Sequence, residues 1–390
     1  MRGEHKKMVI GLRGFSFDHE NKGCEALTYS FLSILDKVYA KKEKLEIINI
    51  SSIESLGNVP MQFPNMKFSQ ERISIKDKKM QYISLFNRCD IIFDIYDGDG
   101  FSDIYFTNAV YKSTLLTIIA EKCSCKYIML PQTYGPFKHK TLEWLAGYAI
   151  KHADYVFSRD KISTDYAKKI SHRKQLTTVT DLAFALPYRK EKKENNQVKI
   201  GINVSGLLWK GGFSSENQFL LKVDYKRYVR QLIEYCCEKG YEVHLISHVT
   251  KKIKENTPSY DTDYVVCTEL QQEFPEVIVS PMYTSPVDVK SYIASMDVFV
   301  GARMHATIAA FSSGVKTIPF SYSRKFNGLY GNLDYPYIVD GCALTTEQAF
   351  EKTIEYMGDD NLIKCSCHAM SLITDKLNIF ENELRNILNS

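Results

Sequence analysis

From end to end the chain alternates short β-branched runs with longer stretches whose apolar residues recur at helical spacing. A parallel sheet flanked by helices is the fold this alternation permits, because each strand reaches the next through a helical crossover. The first half reads as strands near 8–12 (MVIGL), 45–51 (LEIINIS), 90–95 (DIIFDI), 126–130 (KYIML), 154–158 (DYVFS) and 176–180 (LTTVT), with the clearest helices at 23–40 and 141–152. A second series follows at 198–204 (VKIGINV), 241–248 (YEVHLISH), 277–280 (VIVS), 296–300 (MDVFV), 315–320 (VKTIPF) and 336–340 (PYIVD), with a helix at 223–239. Between the two series, "PYRKEKKENNQ" (187–197) is polar, charged and opened by proline, the composition of a linker.

A chain of 390 residues also exceeds the size, roughly 250–300 residues, at which a single core stops growing. The expectation is therefore an α/β protein of two Rossmann-like, doubly wound domains facing a central cleft. They span 1–187 and 198–370, joined by a linker at 188–197, and a C-terminal helix at 371–390 is placed to cross back. In such folds ligands bind beyond the carboxyl ends of the strands.

Composition removes several function classes. No run of about 18 apolar residues offers a membrane span. The N-terminal apolar stretch ends at Arg13, too short for a secretion signal, so the chain reads as cytoplasmic. The pairs Cys123/Cys125 and Cys365/Cys367 are closer than zinc ligands usually stand, so the ten cysteines read as reduced thiols and no metal is expected. A net charge of +4 is too small to argue for nucleic acid. The basic clusters at 41–44 and 189–194 contain glutamate, which suits solvated faces or a weak attraction to an anionic membrane surface.

The stretch "VGARMHATIAAFSSGVKTIPF" (300–320) carries the most chemistry. Upstream, Ser285 and Pro286 make a sound helix start. A strand then ends at Gly301, a helix runs from Arg303 to Ser313, and Gly314 stops it. Gly301 is expected to let backbone N–H groups approach a ligand. A cation at a helix N-terminus is disfavoured by the dipole, by about 0.3–1 kcal/mol. Arg303 and His305 therefore point either to a bound anion or to an arginine paired with a carboxylate beside a quietly packed histidine, and the anion site is the favoured reading. Tyr322, Arg324 and Lys325 follow the next strand's carboxyl end, and Lys325 is either a second phosphate contact or a solvated lysine.

With those residues in view, the chain resembles the polysaccharide pyruvyl transferase family. The segments that carry the likeness are "NKGCEAL" (21–27), "DIIFDIYDGDGFSDIY" (90–105), "LPQTYGPF" (130–137), "VFSRDKIS" (156–163), "TDLAF" (180–184) and residues 300–329, in family order. The resemblance implies two halves like those of the glycosyltransferase-B class, with phosphoenolpyruvate as donor and a pyruvate ketal on a sugar as product. It implies no metal, nucleotide or other cofactor. By that resemblance Arg303 grips the donor, His305 contacts its phosphate or acts as the acid, and Arg159 is another anion contact, with a pair to Asp160 as the plainer alternative. Tyr322 and Lys325 fall on the same donor side.

A base is sought in "YDGDGFSD" (96–103). Many family members have an all-glycine run here, whereas this chain sets Asp99 between Gly98 and Gly100. Asp97 and Asp99 are therefore candidates for catalysis, or they mark an Asp-Gly turn. Asp103, Asn21, Glu25, Tyr134 and Trp209 are candidates for the acceptor, with a helix N-cap as the alternative for Asn21 and ordinary packing for the two aromatics. The acceptor is expected to be a sugar or lipid-linked oligosaccharide, met by peripheral contact with the inner membrane surface. A nucleotide-sugar glycosyltransferase of the same build is the second reading, although "ATIAAFSSG" after His305 offers no glutamate for a ribose. A non-catalytic binding protein is the third.

Overall fold

The computed structural model describes residues 7–39, 44–51, 55–72, 79–103, 107–190, 196–212, 216–250 and 262–390. Among these, the strands of the first half are β1 (Val9–Arg13), β2 (Leu45–Ser51), β3 (Met66–Arg72), β4 (Ile91–Asp94), β5 (Lys126–Gln132), β6 (Tyr155–Ser158) and β7 (Thr177–Thr178). They form one sheet in the order β3-β2-β1-β4-β5-β6-β7, and every pairing is parallel. The second half contributes β8 (Lys199–Asn203), β9 (Glu242–Leu245), β10 (Ile278–Val279), β11 (Val298–Gly301), β12 (Lys316–Ser321) and β13 (Val339–Asp340), in the order β10-β9-β8-β11-β12-β13 and again parallel. Both sheets reverse direction beside their first strand, the doubly wound pattern the alternation predicts.

The chain divides into two compact units. The first comprises Met1–Asp18, Leu27–Leu182 and Lys376–Ser390, and the second His19–Ala26 and Ala183–Asp375. The last helix, Asn361–Asn389, begins in the second unit and ends in the first, where Phe380 lies edge-on to Phe157 at 5.1 Å between centroids.

In the first unit the inner faces of helices Lys79–Arg88, Thr107–Ala120, Lys140–His152 and Lys161–Ser171 share one core with the sheet. Phe86, Leu116, Ala146, Ile150 and Ala167 meet Ile92, Tyr127 and Met129 there. Burying each large apolar side chain contributes roughly 1.5–3 kcal/mol, so this layer is the unit's main source of stability. In the second unit Ile293, Phe299, Ala306 and Ala310 form the equivalent core around helix Met304–Ser312.

Three local expectations change. Strand β3 is absent from the sequence reading because "MKFSQER" buries only Met66, as befits an edge strand kept polar against aggregation. Strand β9 stops at Leu245, so Ile246, Ser247 and His248 leave the ladder and line a loop. Gly301 is explained by packing: a Cβ there would lie 2.6 Å from the Phe299 ring and 3.1 Å from Thr307.

Candidate functional site

In the second unit the N-cap of helix Met304–Ser312 is Arg303, whose extended backbone turns the chain out of β11. Its N–H donates to Asn203 Oδ1 at 2.8 Å, from the last residue of the adjoining β8. Its guanidinium grips Asp263, with Nη2 at 2.7 Å from Oδ1 and Nε at 3.2 and 3.3 Å from the two oxygens. Asp263 is fully buried and also accepts from the N–H groups of Gly206, His248 and Val249. The carboxylate alternative for Arg303 therefore holds. The dipole cost of a cation at this terminus is offset by Asp263, so the position alone does not demand a bound anion.

Other cations gather at the same place. Gly23 packs so tightly on His305 that a Cβ would come within 2.5 Å of its Nδ1. Beside it, Lys22 is buried and donates to Glu25 at 2.7 Å, to the His19 carbonyl at 2.9 Å and to the Thr284 carbonyl at 3.2 Å. The segment is fixed to the loop after β9 by an antiparallel bridge between Asn21 and Val249 and by the Lys22 N–H on the His248 carbonyl. Burial, then the charges of His305, Arg303 and Lys22, push the His248 imidazole down to about 3, so it is neutral at ordinary pH. Two carboxylates, Asp263 and Glu25, balance this group.

Several expected contacts resolve differently. Asn21 caps its helix, its Oδ1 accepting from the Gly23 N–H at 3.0 Å. The Glu25 carboxylate is buried and accepts from the His19 N–H and Lys22, so it is a partner of Lys22 rather than an open sugar contact. Trp209 is buried with Arg230 and Lys226 over its ring at 5.0 and 5.7 Å, which leaves it packed rather than presented as a stacking face. Tyr322 stands edge-on to Phe219 at 4.9 Å. The Lys325 side chain lies outside the described residues.

The first unit brings the acidic loop and Arg159 together. Tyr96, Asp97 and Gly98 adopt φ of +47°, +50° and +84° in succession, backbone that is costly for the first two. Asp97 accepts from Ser16 Oγ at 2.6 Å, and a Cβ on Gly98 would lie 3.5 Å from Arg159 Nη1. Asp99, half-exposed, closes this turn. Arg159 is buried and paired with Asp181 at 3.0 Å, while Asp160 caps helix Lys161–Ser171. The plainer alternative for Arg159, a pair with Asp160, is present at 3.9 Å, but it is buried rather than on the surface and is joined by the shorter contact to Asp181.

Asp103 is occupied, its buried carboxylate accepting from the Lys138 and His139 N–H groups and hydrogen-bonded to the His139 ring, contacts that hold it below the usual carboxylate range against the opposing effect of burial. Tyr134 is a core residue whose hydroxyl donates to the Phe157 carbonyl. Neither is available as an acceptor contact.

The sequence reading missed Arg13. At the end of β1 it donates to Asp94 at 3.0 Å, Thr117 at 2.8 Å, Tyr127 at 2.6 Å and Tyr96 at 3.1 Å, and Tyr127 donates a further short bond to Asp94. Burial opposes the Arg13 charge, but the surrounding oxygens of Tyr127, Asp94 and Tyr96 more than offset it and raise the guanidinium above its ordinary value. Burial raises the Asp94 carboxyl above its ordinary range, opposed by Arg13 and Tyr127.

Two doubly wound units, each with a parallel sheet and flanking helices, define a two-domain α/β protein of Rossmann-like build. The family model of polysaccharide pyruvyl transferase matches residues 21–324, and the chain belongs to that family. Among solved structures it is similar to an S. aureus MnaA–UDP co-structure, with a TM-score of 0.59 and 13% identity over 98% of this chain and 97% of that one. It is also similar to UDP-GlcNAc 2-epimerase from Neisseria meningitidis bound to UDP-GlcNAc (0.59, 9%, covering 97% and 100%) and to UDP-GlcNAc 2-epimerase from Methanocaldococcus jannaschii (0.55, 9%, covering 91% and 93%). At these identities the likeness is one of fold. Among the described residues, no helix is long and apolar enough to cross a membrane.

Proposed function

We propose that the protein transfers pyruvate from phosphoenolpyruvate to two hydroxyls of a sugar in a cell-surface glycan precursor carried on a lipid. The observation that carries this reading is the gathering of Arg303, His305, His248 and Lys22 in one unit of a chain of this family. Phosphoenolpyruvate bears a phosphate and a carboxylate, and a cation held rigidly by a buried partner meets an anion with little entropy left to lose. Asp263 does this for Arg303, and Glu25 for Lys22.

Protonation of the donor's methylene carbon makes its methyl group and an oxocarbenium-like centre, which one sugar hydroxyl attacks. The C–O bond to phosphate breaks, and the second hydroxyl closes the ketal. Of the two hydroxyl protons, one replaces the proton spent on carbon and the other leaves with phosphate. His305 is assigned the acid or phosphate contact, and Arg303 with Lys22 the anion clamp.

Calorimetric titration with phosphoenolpyruvate, beside UDP, GDP and CMP, tests the reading. Phosphoenolpyruvate alone should bind, and Arg303→Ala should weaken it at least 100-fold, about 2.7 kcal/mol. Binding of a nucleotide instead, or equal donor binding by Arg303→Ala, would overturn it.

A further inference from the structure

The first unit carries an apolar face that its core does not use. Helices Thr107–Ala120, Lys140–His152 and Lys161–Ser171 put their inner residues into one shared core, so their outer faces form one surface. That surface exposes Trp144 at 66%, Ile162 at 63%, Leu115 at 42% and Tyr111 at 40%. Trp144, Tyr148 and His152 form a ladder along one helix, with ring centroids 6.2 and 4.2 Å apart. An exposed tryptophan, leucine, isoleucine and tyrosine thus stand on three neighbouring helices of one layer.

Charge identifies what covers it. Lys138, Lys140, Lys151, Lys122, Lys168 and Lys169 are all exposed around these helices. Among the acidic groups nearby, Glu143 offsets Lys140 and Asp165 offsets Lys161, which leaves Lys122, Lys138, Lys151, Lys168 and Lys169 in excess over Asp154. Aromatic and aliphatic side chains ringed by lysines match a lipid interface, where rings sit at headgroup level and cations meet anionic headgroups. A second copy fits poorly, because a two-fold contact would set this lysine ring against itself.

We propose that this face docks the protein on an anionic lipid bilayer, with Trp144 and Leu115 seated at the boundary between headgroups and acyl chains. The inference stands on the face itself and names the surface by which a lipid-carried acceptor is met. Its vesicle-binding test uses no donor, so its failure and that of pyruvyl transfer are separately visible.

The chain has two tryptophans, and the other, Trp209, is buried, so Trp144 reports the contact. The full chain is mixed with vesicles of equal parts phosphatidylglycerol and phosphatidylcholine, or of phosphatidylcholine alone. Sedimentation with the anionic vesicles only is expected, with a blue shift in emission, quenching by brominated acyl chains and release by 0.5 M salt. Trp144→Ser with Leu115→Ser should lower the partition at least tenfold. Lys140→Glu with Lys151→Glu should lower it roughly fivefold per lysine. Turnover of a soluble acceptor should be unchanged in both double variants. No sedimentation at low salt, sedimentation indifferent to both double variants, no quenching by brominated lipid, or a Trp144-dependent dimer in analytical ultracentrifugation would each overturn the proposal.

Discussion

Each unit buries an arginine against an aspartate at its strand ends, yet the two pairs are built for different ends. Around Arg13 the other neighbours are hydroxyls: Thr117, Tyr127 and Tyr96 each accept from its guanidinium beside Asp94. Around Arg303 stand His305 and Lys22, close enough that their charges, after burial, help keep the neighbouring His248 neutral. A single ion pair surrounded by neutral hydroxyls serves the fold. One that concentrates positive groups raises the local potential for an anion, and its aspartate serves to aim the arginine.

The largest expected effect breaks the first pair. Arg13→Met leaves Asp94 buried without its cation, which costs about 3–5 kcal/mol. A urea midpoint should fall accordingly. Arg303→Ala is expected to cost clearly less stability, because Asp263 retains three backbone N–H bonds, while donor binding is lost. Equal loss of stability in the two variants, with donor binding intact in Arg303→Ala, would erase the distinction.

A second substitution separates position from stability within the cationic group. Gly23 lies in the first turn of helix Lys22–Val38, where alanine is favoured over glycine by about 1 kcal/mol. The added Cβ would nonetheless stand 2.5 Å from His305 Nδ1 and 2.9 Å from its Cγ, so the imidazole must move. Gly23→Ala should hold its melting temperature while kcat falls about 100-fold, the scale of a displaced general acid. Unchanged kcat in a normally folded variant would remove His305 from the chemistry.

These residues were not equally legible. The doubly wound architecture was readable because strands buried on both faces leave near-continuous apolar runs, as "LEIINIS" does in β2. Arg303 and His305 were readable because they break a local rule at a helix start. Arg13 was hidden because it closes an apolar strand and only the folded sheet sets it beside Asp94, 81 residues away in sequence. Asp263 reads as an ordinary acidic first-turn residue of helix Asp263–Glu273, and nothing local shows its arginine. His248 reads as part of a strand because "YEVHLI" is β-prone through Ile246, and only the folded register shows that pairing with β8 ends at Leu245. Contacts between distant segments, rather than composition, decide all three.

The smallest effect is a tilt in stability with pH, and the two units tilt in opposite directions. His248 is pushed by burial, and then by the charges of His305, Arg303 and Lys22, from an ordinary 6.5 to about 3. Between those values the unfolded chain binds a proton that the folded one refuses, so stability rises with pH across the window. The contribution is complete above 6.5 and is lost as pH falls toward 3. Glu121 in the first unit is raised by burial and by Asp154 to about 8, so there the folded chain holds the proton that the unfolded one releases. Its contribution is complete below 4.5 and is lost as pH rises through 8. Urea midpoints from pH 4.5 to 8 should therefore diverge in two senses. His248→Asn should flatten the acid side by on the order of 2 kcal/mol, and Glu121→Gln should flatten the alkaline side. An acid limb unchanged in His248→Asn would mean that His248 does not sit in the concentrated positive potential that distinguishes the second unit from the first.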